Sequence, residues 1–217
     1  MSLTTEQQTG PKIANPTRHY ISFSGERGTF EYWDGSKSVA LDEISFTVVD
    51  VKGSIGGWSD SDNSRIYSNY FESGKEQVAI KTGRKGQAPR TLFTGPYTEN
   101  KETIVALGGK YQTNLFGLML TETEHVPVII QFSASALAAW SDYVKTLGYK
   151  GYYGKVITAS KSEPKKKGRV VFHTPVFSSV VSTEETMNVS KEYDAEYLQP
   201  YLGQFKATEV AEVAETN

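Results

Sequence analysis

Cysteine is absent from the 217 residues. With it go disulfides, thiolate nucleophiles, iron–sulfur clusters and cysteine-based zinc sites. The three histidines, His19, His125 and His173, lie far apart and never take the i, i+4 spacing of a helical metal pair. No serine sits in a G-x-S-x-G turn and the acidic residues are dispersed, so the expectation is a non-enzymatic protein with no metal or cofactor. Long apolar runs are also missing: the stretch 126–130 is interrupted by Pro127, against the ~20 residues that span a bilayer. The segment MSLTTEQQTGPK lacks a basic stretch followed by an apolar one, so no signal peptide is expected. Together these absences predict no membrane span and a reducing, cytoplasmic setting.

Hydrophobic residues make up only 38% of the chain, below the ~45–50% usual for globular proteins. Aromatics compensate at 12%, with 13 Tyr, 10 Phe and 3 Trp, enough to argue against disorder and for a buried core. The net charge of −2 conceals a strong partition. Residues 1–74 carry 6 basic and 10 acidic side chains, residues 75–169 carry 15 and 7, and residues 184–217 carry 2 and 8. A basic middle with an acidic end suits a polyanion binder that carries its own acidic segment.

Residues 1–18 are polar, contain Pro11 and Pro16, and read as a flexible arm. Short β-like runs then follow at 20–23 and 29–33, paired as a hairpin through Gly25 and Gly28. A strand from Ile44 to Val51 is expected to break at Gly53, Gly56 and Gly57. Runs at 66–71 and 77–82 form a second pair, and 103–107, 110–121 and 126–132 continue the series with a tight turn or bulge at Gly108–Gly109.

One helix interrupts the strands at 133–147. Ser133 suits an N-cap, Gly148 suits the C′ position, and Leu137, Trp140, Val144 and Leu147 form one apolar stripe, which makes Trp140 a core residue. A final hairpin pairs 152–160 with 169–180 around the basic loop KSEPKKKG, and a short helix is expected over 191–202, capped by Ser190. Residues 204–217 read as a disordered acidic tail. The fold class is therefore mainly β.

Several strands, a helix, then a hairpin is the element order of an OB-type barrel, in which the helix plugs the barrel between its third and fourth strands. The expectation is a five-stranded barrel with additional strands as a single domain over 19–203, plugged by helix 133–147 and followed by the short C-terminal helix. The loop between the last two strands, one of the two that frame the ligand cleft of such barrels, then carries Lys161, Lys165, Lys166, Lys167 and Arg169.

The segments ISFSGERGTFEYWDG (21–35), IIQFSASALAAWSDYVKTL (129–147) and KVITASKSEPKKKGRVVFHTPVF (155–177) resemble the single-stranded-DNA-binding proteins of tailed bacteriophages. The resemblance spans roughly residues 20–180 in pattern and residue type. It implies an OB-type barrel that coats single strands without strong sequence preference during phage DNA replication or recombination. Any cluster or zinc site of a cysteine-bearing relative does not carry over.

Such binding needs cations for phosphates and aromatic faces for bases, each stack being worth ~1–3 kcal/mol. Residues 65–111 interleave the two: Arg65, Tyr67, Tyr70 and Phe71, then Lys81, Arg84, Lys85 and Arg90, then Phe93, Lys110 and Tyr111. In RIYSNYF, Tyr67 and Phe71 share one strand face and Tyr70 the other, so one of those faces belongs to the core. The loop TGRKGQAPR lacks the spacing of a phosphate-binding P-loop and reads instead as a basic loop able to clamp phosphates. Trp58, after two glycines, is a further candidate for stacking. Asp60, Asp62 and Asn63 lack the remaining ligands of a calcium loop, and Tyr32 with Trp33 reads as packing.

The predicted partners are single-stranded DNA and, through the acidic tail, replication or recombination proteins; a homodimer is left open. The tail is expected to compete weakly with DNA for the basic surface. The competing class is a non-enzymatic β-rich module that binds a glycan or assembles into a particle, which would not require the basic stripe.

Overall fold

The computed structural model describes residues 13–84 and 88–204. Among them, eleven strands form one mixed sheet and two more form a separate ribbon. In chain order the elements are β1 (His19–Ser24), β2 (Thr29–Trp33), β3 (Ser38–Leu41), β4 (Glu43–Ser59), β5 (Ser64–Ser68), β6 (Gln77–Gly83), β7 (Arg90–Pro96), α1 (Tyr97–Ala106), β8 (Gly109–Leu120), β9 (His125–Ser133), α2 (Ala134–Leu147), β10 (Lys155–Lys161), β11 (Lys165–Lys167), β12 (Val170–Phe172), β13 (Pro175–Val181) and α3 (Glu184–Glu192). A π-helical segment, Tyr193–Leu198, prolongs α3.

β4 is the organising strand. It pairs with β8 from Ser45 to Gly57, while its other edge takes β10 near Ile44–Thr47 and β5 near Gly56–Ser59. A bulge between Val48 and Asp50 makes this possible, since an extra residue bends a strand and sharpens its twist. Before the bulge the even-numbered Ile44, Phe46 and Val48 enter the core; after it the odd-numbered Val51 and Ile55 do. The expected break at the glycines does not occur. They are close-approach points: a Cβ on Gly57 would lie 2.1 Å from the Gly108 carbonyl oxygen, and one on Gly53 would lie 2.6 Å from the Phe71 ring.

Three apolar clusters result. The largest gathers Phe46, Phe132, Ile130 and Ile157 under α2, whose Trp140 is only 4% exposed and packs on Phe132 and Phe177. The second lies where Tyr193, Leu198, Tyr201 and Leu202 cover Phe116, Leu118 and Ile129 on the opposite sheet face. The third, in the β5–β7 meander, holds Ile55, Ile66, Phe71, Val78, Ile80 and Ile104.

The mainly β class, the hairpin of β1 and β2, and helix α2 with Ser133 before it and Gly148 (φ 79°) after it all stand as expected. Three further expectations are corrected. Residues 103–106 belong to α1, with Leu107 as its C-cap, and not to a strand: Glu99, Lys101 and Glu102 favour helix, and Ile104 is the buried residue that α1 gives to the third core. The C-terminal helix begins at Glu184, where the Thr183 hydroxyl accepts the Thr186 amide at 3.2 Å, earlier than the expected Ser190 cap.

The third correction concerns the barrel, whose strand ladder is not closed. The outer edge of β9 is occupied by β1, paired in parallel from His19–Val128 to Ser22–Gln131, so among the described residues β13 pairs only with β10. The arm expected at 1–18 is described from Ile13 onward, where Ile13 and Gln204 exchange hydrogen bonds of 3.1 Å and the Arg18 amide donates to the Pro127 carbonyl at 2.9 Å. The remainder of that arm and residues 205–217 of the expected tail lie outside the described residues. Among the described residues no helix is long and apolar enough to cross a membrane.

Candidate functional site

Register places a polar and aromatic row on the sheet face away from the first and third cores. Lys81 faces Tyr67, Tyr67 faces Gly56, and Gly56 faces Lys110. Ser54 faces Gln112, Asn114 faces Gln131, and Gln131 faces Ser22. These pairs run across β6, β5, β4, β8, β9 and β1. Ser22, Ser54, Gly56, Gln112, Asn114 and Gln131 form the floor of an open groove of about 720 Å³, walled by Tyr20, Arg65, Tyr67 and Tyr70, and Lys81 and Lys110 stand beside it on the same face.

The floor is held rigid by amide contacts. Asn114 Nδ2 donates to the Lys52 carbonyl at 3.2 Å and to the Ser54 hydroxyl at 2.9 Å, while Gln131 Nε2 donates to Asn114 Oδ1 at 3.0 Å. Gly56 leaves room for the Gln112 carboxamide to lie flat: a Cβ there would meet Gln112 Oε1 at 2.2 Å. Tyr20 (53% exposed), Tyr67 (36%) and Trp58 (52%) present ring surface to solvent. Arg65 stands opposite Trp58, and Arg65, Lys81 and Lys110 have no carboxylate partner among the described residues.

Lys52, on the same face, is not a free cation. Its Nζ is held 2.9 Å from Asp50 and 2.6 Å from Glu72. Burial works to lower its pKa, but hydrogen bonds to Glu72 and Asp50 more than offset this, and the net direction is up.

The expected site residues fall into four groups. Trp58, Tyr67, Lys81 and Lys110 come together on the groove face. Phe71, Phe93 and Tyr111 go to the third core: Phe71 is 3% exposed, and its ring stacks at 6.2 Å from Tyr97 and lies 5.9 Å from Tyr111. Strand alternation accounts for Phe93, since Ile80 faces it on the side opposite Lys81. The face expected to be shared by Tyr67 and Phe71 is corrected: β5 ends at Ser68, and Phe71 bridges Gly53 on the core side while Tyr67 and Tyr70 line the groove. Tyr70 lines the groove but packs edge-on against Phe116 at 5.1 Å, and burial raises its hydroxyl pKa.

Arg84 and Arg90 are tied to the β4–β5 turn. The Asp62 carbonyl accepts from Arg84 at 2.7 Å and its carboxylate pairs with Arg90. A hydrogen bond from Ser59, together with Arg90, holds the Asp62 carboxyl below the usual range. Lys85 lies outside the described residues.

The fourth group, Lys165, Lys166 and Lys167, forms β11 of the ribbon, with Arg169 in its turn and Lys161 at its base, 3.4 Å from Asp42. The ribbon is anchored by the His173 amide, which donates to the Gly25 carbonyl at 2.7 Å, and by His173 Nδ1, 2.8 Å from the Ser162 carbonyl oxygen. Gly25 directly follows β1, so the cationic ribbon rises from the end of the sheet that also carries Gln112 and Lys110.

Sequence reasoning missed Tyr20, Gln112, Asn114 and Gln131. A signal was present: Gln112 and Asn114 stand two apart in β8 and Gln131 sits between Ile130 and Phe132 in β9, whereas a strand with both faces in the core would carry no such amides. No family model, curated protein or solved structure matches the chain.

Proposed function

We propose that the protein binds single-stranded DNA along the groove without strong sequence preference, in the setting of phage DNA replication or recombination. The observation that carries this reading is the groove itself: exposed tyrosine rings at both ends of a polar floor, with cations free of carboxylates among the described residues on the adjoining strands. Rings offer stacking surfaces to any base, and cations along the path suit a phosphate backbone. An open, six-strand-wide surface suits a flexible single strand better than a rigid duplex.

Strand order supports an OB-type reading at the finer level. β4, β8 and β9, then α2, then β10 and β13 reproduce five strands with a helix after the third, and β4 pairs with both β8 and β10. On that assignment the groove lies on the outer face of the second and third strands. The β5–β7 meander occupies the connection between the first two strands, and the basic ribbon occupies that between the last two, the connections that frame OB clefts. The phage-protein resemblance points the same way.

The test is a titration of labelled oligo(dT) and of a blunt duplex over a salt series. The expected outcome is tighter binding to the single strand, with a log–log salt slope of about −0.7 per phosphate neutralised. Equal affinity for the two, or no dependence on salt, overturns the proposal.

A further inference from the structure

The geometry points to a second nucleobase-stacking subsite, formed by Trp33, Tyr20 and Arg18 just beyond the groove, which takes a further base of the same single strand. This rests on reading the groove as a single-strand path.

Three observations converge on it. First, Trp33 is 61% exposed, whereas Trp140 is buried at 4%. A bare indole is a large apolar surface facing water with no structural return. Second, β1 and β2 pair antiparallel with Ser22 facing Glu31. Continuing that register sets Tyr20 opposite Trp33, on the face that Ser22 shares with Gln131 and the groove floor. Third, Arg18, Tyr20, Trp33 and Asp34 line an open depression of about 390 Å³, and Tyr20 belongs to both this depression and the groove. A strand leaving the groove over Tyr20 therefore meets Trp33 next, one strand step of about 4.8 Å away.

The surroundings are ordered for this task. Asn15 Nδ2 donates to the Tyr20 hydroxyl and steadies the ring. Arg18 is held at the rim by Glu124 at 3.0 Å and by its own amide bond to Pro127. Asp34 adds a negative charge, but its Oδ1 is engaged by the Ser36 amide, the Ser36 hydroxyl and the Lys37 amide, each at 2.8 Å. With Glu124 and Asp34 balancing Arg18 and Lys37, the subsite contributes stacking and adds no net phosphate attraction.

Two measurements on the full chain test it. In a length series of oligo(dT), Trp33→Ala should bind the shortest oligonucleotides like wild type. It should lose about five- to a hundred-and-fiftyfold on those long enough to reach past Tyr20, the range of one base–aromatic stack. Its salt slope should be unchanged, and Trp33→Phe should restore most of the loss. In Trp58→Phe, Trp33 is the exposed indole that remains, and its emission should be quenched by long oligo(dT) and not by the shortest.

An equal loss at every length, no loss at any length, or an unquenched Trp33 overturns the subsite. If Tyr67→Ala still weakens binding in those cases, the groove reading survives. A wild-type protein that binds no oligo(dT) overturns both.

Discussion

Arg90, at the start of β7, is ion-paired with Asp62 in the β4–β5 turn, and the same aspartate's backbone carbonyl accepts Arg84 at 2.7 Å. One acidic residue thus restrains two of the cations expected to meet phosphates. Replacing Asp62 by Asn keeps the turn's hydrogen-bonding shape and releases the charge. Affinity for oligo(dT) should rise at low salt and converge with wild type as salt screens the difference. Unchanged affinity at low salt would place Arg90 away from the DNA.

Tyr67 and Phe71 stand four residues apart with opposite fates. Phe71→Ala should lower stability by about 3–5 kcal/mol, the cost of emptying a buried phenylalanine site, seen as a lower denaturation midpoint. Tyr67→Ala should leave that midpoint nearly in place and weaken oligo(dT) binding by about 1–3 kcal/mol. Chemical denaturation and anisotropy on the two variants separate core from surface.

The ribbon makes a graded prediction. Lys165, Lys166 and Lys167 are exposed, so their triple replacement by Ala should leave the melting temperature unchanged, as exposed charges contribute little to stability. The salt slope should become shallower by about 0.7 for each phosphate that the variant no longer neutralises. An identical slope in wild type and variant would take the ribbon out of the interface.

Acid stability should respond to Asp34. Amide hydrogen bonds from Lys37 and Ser36, with the Ser36 hydroxyl, hold its carboxyl at about 2, down from 3.8. A depressed carboxylate stabilises the fold fully above its unfolded value and loses that contribution as pH falls through the folded one. Asp34→Asn should therefore flatten the decline in stability between about pH 4 and pH 2, measured by urea midpoints, without altering the profile at neutral pH.

Element types were largely legible because alternation and helical periodicity are local. Tyr20, Ile21 and Ser22 alternate out, in and out, and Leu137, Trp140 and Val144 mark the inner stripe of α2. What escaped was non-local. Nothing near Gly57 announces that Gly108 will press against it 51 residues later, so a continuous strand read as a broken one. Trp33 read as packing because its neighbour Tyr32 does pack against the core. The division of 65–111 was half visible: the pattern demanded that one face be buried, but only the β4–β8 register shows that Lys110 is on the outer face and Tyr111 on the inner one. The open barrel was not foreseeable from strand order, because the parallel pairing of β1 with β9 joins segments a hundred residues apart.

The bulge in β4 has an architectural consequence. Because the strand bends there, one edge of it hosts two separate arms: β10 with β13 and the ribbon on one side, and the β5–β7 meander on the other. The arms meet at this fork and are encoded by separate stretches, 60–108 and 155–181. The design is modular: either arm can be lengthened, shortened or exchanged in a chimera while the other keeps its seat on β4. Variation in the length of one arm can accumulate without rebuilding the strand that seats the other.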